Sequence, residues 1–219
     1  MESFKKFVKE HYALYVLFWP INTFIWFATE KLALGRAFVI HSAIDDLIPF
    51  SEWFMAIYVM WYPFWIGMLL YCFICEPETF RRTMWFFILT YTVCNLTFIF
   101  FPTCVDFQPT SFERSNFFTW LTGLIYRIDE PTNVLPSEHV IGAFAVVFAA
   151  HDSKRFRRAR WLVPILVLAV LISISIMFTK QHSFWDLVAA LPLCIAGWAI
   201  CFRPWKRDKT ETDPSQQTS

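Results

Sequence analysis

Of the 219 residues, 57% are hydrophobic and 20% aromatic, and the formal net charge is +1. A chain so apolar, with its apolar residues in long blocks, falls outside the ordinary soluble classes and reads as a multi-span membrane protein. The balanced charge gives no reason to expect nucleic acid as a partner.

In chain order, residues 1–11 are polar and basic (Lys5, Lys6, Lys9) and read as a cytoplasmic N-terminal segment. The first apolar block runs from Tyr12 to Ala28. Pro20 and Asn22 interrupt it and no small-x-small cleavage site follows, so a retained span is expected rather than a signal peptide. Residues 29–52 mix charged and apolar residues and read as a segment at the membrane interface, with Asp45 and Asp46 facing water. Trp53–Cys75 and Thr83–Phe101 are the second and third blocks. A long connection follows to Asn133, and Phe117–Ile128 within it has the pattern of an amphipathic helix.

The fourth block, Val134–Ala150, is short for a span, and its helix is expected to continue into the basic run after His151. Trp161–Phe178 and Ser183–Phe202 are the fifth and sixth. Residues 204–219 read as a polar cytoplasmic tail. The expected fold is all-α: a six-span bundle over residues 12–203. Trp19, Trp53, Trp61, Trp120, Trp161 and Trp205 suit interfacial belts. The six cysteines lie almost all in apolar blocks, and the Cys72–Cys75 pair reads as small apolar filler. His41 and His151 read as structural or solvated.

With six spans, the N-terminus, the second-to-third and fourth-to-fifth connections and the C-terminus share one side. Fourteen Lys and Arg fall there and five on the other. The positive-inside rule puts both termini in the cytoplasm. The connections before the fourth and sixth spans then open on the outer face.

That face gathers the chemistry. Leu135-Pro136-Ser137-Glu138-His139 opens the fourth block, and Lys180-Gln181-His182 with Asp186 opens the sixth. Pro136 suits an early helical position. Unpaired N–H groups at such a helix end form an anion site. His182 and Asp186 are spaced i, i+4, so on a helix the carboxylate can hold one imidazole nitrogen and leave the other free to attack. Two histidines, one with a carboxylate, beside a helix-end anion site point to phosphoryl chemistry. The basic run Lys154–Arg160 is most simply a topology signal, with anionic headgroup contact secondary.

At these residues the chain resembles the type 2 phosphatidic acid phosphatase superfamily of membrane lipid phosphatases. The second family motif, Pro-Ser-Gly-His, is matched by Pro136-Ser137-Glu138-His139, and the His-x-x-x-Asp that ends the third by His182–Asp186. Tyr126–Val140 and Lys180-Gln181-His182 look like the inositol phosphorylceramide synthase-like branch. The resemblance implies that His182 attacks phosphorus to form a phosphohistidine, that Asp186 orients it, and that His139 protonates the leaving oxygen. Ser137 and nearby N–H groups would hold phosphate oxygens, and the mechanism requires no metal or other cofactor.

The departures fall on the cationic clamp. Ile176 stands where the third motif has arginine, and Gln108-Pro109 where the first motif ends Arg-Pro. Lys180, Arg127 or Arg114 would have to supply the charge. Glu138 replaces a glycine and places a carboxylate beside the anion site, where it would repel phosphate unless it points away or pairs with Lys180 or Arg127.

The expected activity is hydrolysis of a phospholipid or polyprenyl phosphate (a phosphomonoester or diphosphate) at the extracytoplasmic face of a cell membrane, with catalysis by His182, His139 and Asp186 and substrate contacts from Ser137, Lys180, Arg127 and Gln108. One alternative is transfer of a phosphorylated headgroup to a lipid alcohol, as in inositol phosphorylceramide or sphingomyelin synthases. The other is a catalytically weak relative that binds phospholipids.

Overall fold

The computed structural model describes residues 12–33 and 35–203. The two terminal segments read from the sequence, with Trp205, lie outside the described residues. The described residues are mostly helical. A 3₁₀ segment, Tyr12–Leu17, runs into α1, Phe18–Ala33. Short helices α2 (Ala43–Leu47) and α3 (Phe54–Val59) lead to α4 (Trp61–Cys75) and α5 (Pro77–Phe100). After a loop come α6 (Phe117–Ile128), α7 (Glu138–Asp152), α8 (Ala159–Phe178) and α9 (Phe184–Cys201). Among the described residues, five helical stretches are long and apolar enough to cross a membrane: Tyr12–Ala33, Phe54–Cys75, Pro77–Phe100, Ala159–Phe178 and Phe184–Cys201.

Several boundaries differ from the sequence reading. The first helix continues past Ala28 to Ala33, and the third stretch starts at Pro77, whose missing N–H suits the first helical turn. α7 does not continue into the basic run. It ends at Asp152, where the Ser153 side chain accepts hydrogen bonds from the N–H groups of Arg155 and Phe156. At 15 residues it is about 22 Å long, short of the roughly 30 Å hydrocarbon core.

α7 is short because it is the central helix. It packs against α4, α5, α8 and α9, and buries His139, Val140, Ile141, Gly142, Ala143, Ala145, Val146, Ala149 and Ala150. Its small residues let neighbouring backbones approach closely, the usual basis of helix packing in membranes. Gly142 is the tightest point: a Cβ there would lie 2.8 Å from the Trp61 indole. Trp61 is therefore buried against α7 and is not part of an interfacial belt. Trp19 likewise stacks on Trp65, with ring centroids 4.3 Å apart.

At one end of the bundle three loops form a small layer. Phe38–Val39 (β1) pairs in parallel with Thr103–Cys104 (β2), and Cys104 bridges to Thr132. α6 lies beside this layer. Phe117, Trp120, Leu124 and Ile128 form an exposed apolar stripe, while Thr119 and Thr122 are buried. The residues read as an interfacial segment hold the end of α1, β1 and α2. Asp45 is buried rather than facing water, whereas Asp46 is exposed and bonds His41.

Gly142→Ala is expected to destabilise the protein despite alanine's better helix propensity, because Trp61 has no room to move. Overpacking of this kind costs about 1–3 kcal/mol. Thermal unfolding in detergent should show a lowered midpoint, partly restored when Trp61→Phe is added. An unchanged midpoint in the single variant would refute the close contact.

Candidate active site

The amino ends of α7 and α9 meet at the end of the bundle that carries the loop layer. α8 stops at Thr179 with a left-handed residue, Lys180, at φ 56°. Lys180 N–H donates to Met177 O at 3.1 Å and Gln181 N–H to Ile176 O at 3.0 Å, the Schellman pattern. The side chain of Ile176 is fully buried in the main apolar cluster, so the position where the resembled motif has arginine is core here. Ser183 then caps α9. Its hydroxyl accepts from Trp185 N–H, and its own N–H donates to Asp186 Oδ2 at 2.8 Å.

Asp186 also holds the histidine. His182 Nδ1 lies 3.2 Å from Asp186 Oδ2 and 3.1 Å from Val134 O. Both partners are acceptors, so Nδ1 carries a proton and donates to them. Nε2 has no hydrogen-bond partner among the described residues. His139 approaches from α7, with its ring centroid 5.4 Å from that of His182. It sits between Tyr58 at 4.7 Å and Trp61 at 4.5 Å, and its Nε2 is buried without a partner. The two helix ends are joined by Ser137 N–H donating to Asp186 O at 3.2 Å.

Both histidines line a cavity of about 320 Å³. Its other walls include Trp19, Trp26, Trp61 and Trp65, the amide of Gln181, and the carboxylates of Asp129, Glu130 and Glu138. Asp129 Oδ2 accepts from the Tyr58 hydroxyl at 3.2 Å. Burial lifts the Asp129 carboxyl to about 6, against the lowering influence of His182 and the Tyr58 hydroxyl. Among the described residues, no Lys or Arg lines this cavity.

The structure thus brings His139, His182 and Asp186 together and sends the expected cations elsewhere. Lys180 Nζ donates to the backbone oxygens of Asp45 at 2.7 Å and Ile48 at 2.5 Å, and lies over the Phe107 ring. Burial lowers its pKa from the ordinary lysine value, against Asp45 and Asp46. Arg127 lines a separate depression on α6, together with Arg114, which pairs with Glu52. Gln108 donates to Gln181 Oε1 at 2.7 Å and reaches the site only through that amide. Ser137 is fully buried as the cap of α7, accepts from Val140 N–H, and is not in the cavity wall. Pro136 precedes that cap, so it lies outside the helix and not in its first turn. Glu138 pairs with neither Lys180 nor Arg127; it faces the cavity with one oxygen unpartnered.

Sequence reasoning missed Asp45 and Asp129. Asp45 accepts from Ser183 Oγ at 2.6 Å and Phe184 N–H at 2.8 Å, and so anchors the start of α9. Asp129, Glu130 and Asn133 stand just before the Leu135–His139 run, and that cluster was the available signal. No group of His, Cys, Asp and Glu among the described residues has the arrangement of a metal site.

The fold is that of an integral membrane protein, a helical bundle that brings a histidine–carboxylate pair and a second histidine to one cavity. The chain belongs to the PAP2 superfamily, the type 2 phosphatidic acid phosphatases, whose family model matches residues 23–200. No curated protein and no solved structure matches it significantly.

The role of Lys180 separates two outcomes. Lys180→Met is expected to lower the thermal midpoint, since losing a buried charged donor costs about 1.5–3 kcal/mol. Lys180→Gly should lower it less, because glycine relieves the left-handed backbone. Neither should raise KM for a lipid substrate more than about twofold. A KM rise with an unchanged midpoint would return Lys180 to the substrate.

Proposed function

We propose that this chain hydrolyses a lipid phosphate ester through a phosphohistidine at His182. The observation that carries the reading is the hydrogen bonding of His182 Nδ1 to Asp186 and Val134, which directs the Nε2 lone pair away from both. In the first step Nε2 attacks phosphorus and a P–N bond forms. The P–O bond to the leaving alcohol breaks, and that oxygen takes a proton from His139. In the second step a water oxygen attacks phosphorus and gives its proton to His139, and the P–N bond breaks. Asp186 stabilises the charge that develops on the imidazole.

The further reading is a six-span protein, with α7 as the short inner span and both termini cytoplasmic. The two helix ends then open on the extracytoplasmic side of a cell membrane. Fourteen of nineteen basic residues on the opposite side support that orientation. The exposed stripe of α6 supports a helix lying in the outer interface.

A second reading is favoured by the missing cations. A phosphomonoester brings about two negative charges and a diester one. A cavity without Lys or Arg suits the diester better, and with it transfer of a phosphorylated headgroup to a lipid alcohol. Capture of the phosphohistidine by water or by alcohol differs only in the second step.

Purified protein incubated with a ³²P-labelled lipid phosphate should form an acid-labile phosphoprotein, and His182→Ala should form none. Turnover in His182→Ala should fall at least about 10³-fold, the scale of losing a catalytic nucleophile. His139→Gln should slow turnover of an ordinary lipid ester by about 10²–10⁴-fold yet spare the first burst of p-nitrophenol from a p-nitrophenyl ester, whose leaving group needs no proton, while the later hydrolysis of the phosphohistidine is slowed. Equal labelling of wild type and His182→Ala would remove His182 as the nucleophile.

A further inference from the structure

Away from the two histidines, α6 carries a separate depression of about 400 Å³. It shares no wall residue with the histidine cavity, so a molecule seated here is distinct from one reacting at His182. Its charge is also of the other kind. Arg114 and Arg127 line it, and among the described residues no carboxylate does. Arg114 lies 3.5 Å from Glu52, with its side chain 67% exposed. Arg127 is exposed and has no carboxylate within ion-pair distance among the described residues. Ser115 adds an exposed hydroxyl to the wall. Two guanidinium groups and a hydroxyl are a donor set that suits a phosphate, because each planar fork can meet two of its oxygens.

The surroundings say which phosphate. Trp120 and Leu124 line the depression and also belong to the exposed stripe of Phe117, Trp120, Leu124 and Ile128. That spacing, i, i+3, i+7 and i+11, puts the four on one face of α6. A cationic depression that opens onto an apolar stripe fits a bilayer phospholipid, with the headgroup at the arginines and a chain along the stripe. A wall with two cations and no carboxylate disfavours an ammonium headgroup and favours an anionic one. The depression is also tied to the turn that bears His182. Phe112 lines it and stands 6.3 Å from Tyr126, ring to ring, and the Tyr126 hydroxyl donates to Thr179 O at 2.6 Å. We propose that this depression holds an anionic phospholipid that is not turned over, and that the bound lipid braces α6 and, through Tyr126, the turn from Thr179 to Ser183.

The test uses full-length protein in a maltoside detergent, carrying His182→Ala so that turnover does not intrude. Phosphatidylglycerol and phosphatidylcholine of equal chain length are titrated separately, and bound lipid is counted by native mass spectrometry. Phosphatidylglycerol should be retained at a severalfold lower concentration than phosphatidylcholine. Arg127→Gln should raise the phosphatidylglycerol concentration needed by about fivefold, the scale of one basic residue facing an anionic lipid, and narrow the difference between the two lipids. Arg114→Gln should act in the same direction. Trp120→Ala, with both arginines in place, should weaken retention of both lipids. Inorganic phosphate should displace neither. Amide exchange across Thr179–Ser183 should slow when phosphatidylglycerol is added, and Tyr126→Phe should abolish that protection while the lipid is still retained.

Equal retention of the two lipids, or unchanged phosphatidylglycerol retention in Arg127→Gln, would overturn the assignment. Displacement by inorganic phosphate would make this a site for a free anion and not for a lipid. A dimer that forms only with Arg127 in place would give the surface to a second copy of the chain. Retention with no change in exchange at the turn would remove the bracing role. The phosphohistidine reading stands or falls apart from this one, because none of these readouts depends on turnover.

Discussion

The turn from Thr179 to Ser183 is the constraint on which the rest of the site depends. It has to stop α8, reverse the chain, and deliver His182 at the mouth of α9. The Schellman hydrogen bonds to Ile176 and Met177 perform the stop, with lysine in a left-handed position that glycine usually fills. That unfavourable backbone is held by the Lys180 ammonium, fastened to the end of α2. Asp45, at the start of the same short helix, grips Ser183 and Phe184. The turn is thus clamped on both sides of His182 by one five-residue helix. Asp186 completes the arrangement by serving the cap of α9 and the imidazole with the same oxygen.

Around this turn, the apolar bulk of the protein acts as a mould for a few polar atoms. α7 gives up length for burial, and its row of small residues lets α4 and α8 close upon it. Trp61 fills the space over Gly142 and also presents its face to His139. One indole therefore couples helix packing to the orientation of the second histidine. The opposite end of α7 is secured independently: Asp152 bonds Thr79 and Arg82, and Glu76 accepts from Ser153 and Lys154. A helix pinned at both ends can hold a side chain at its first turn to the tolerance that phosphoryl transfer requires.

The sequence made the helices and the grouping of His139, His182 and Asp186 legible. Long apolar blocks mark five of the six bundle helices, and the i, i+4 spacing of His182 and Asp186 puts them on one face before any coordinates are consulted. His139 joins them because both helices begin at the same end. The cations were not legible in the same way. Lys180 lies two residues from His182 and carries the right charge, yet its left-handed backbone turns the side chain toward α2. Only backbone geometry reveals that. Arg127 ends α6, whose apolar stripe faces outward, and it is carried to another surface. Asp45 looked like a solvated loop residue because its partners, Ser183 and Phe184, lie more than 130 positions away. Contacts of that range leave no local pattern to read.

Taken together, the departures from the family motifs form one electrostatic change and not a scatter of losses. Ile176 is part of a filled core, so an arginine there would need a different packing of α8. Gln108 and Gln181 bond each other, a neutral amide pair at the edge of the cavity. Glu138 adds a carboxyl group to the wall that already holds those of Asp129 and Glu130. A site decaying at random would lose the partners of His182 as readily as its clamp, because they include side chains as replaceable as any arginine. Here His182 is doubly held, Asp186 is fully buried, and His139 is enclosed by aromatic rings. What has changed is the charge around the phosphorus. The cavity beside the histidine pair is aromatic and, among the described residues, carries no Lys or Arg, so a substrate with fewer negative charges suits it better than a phosphomonoester.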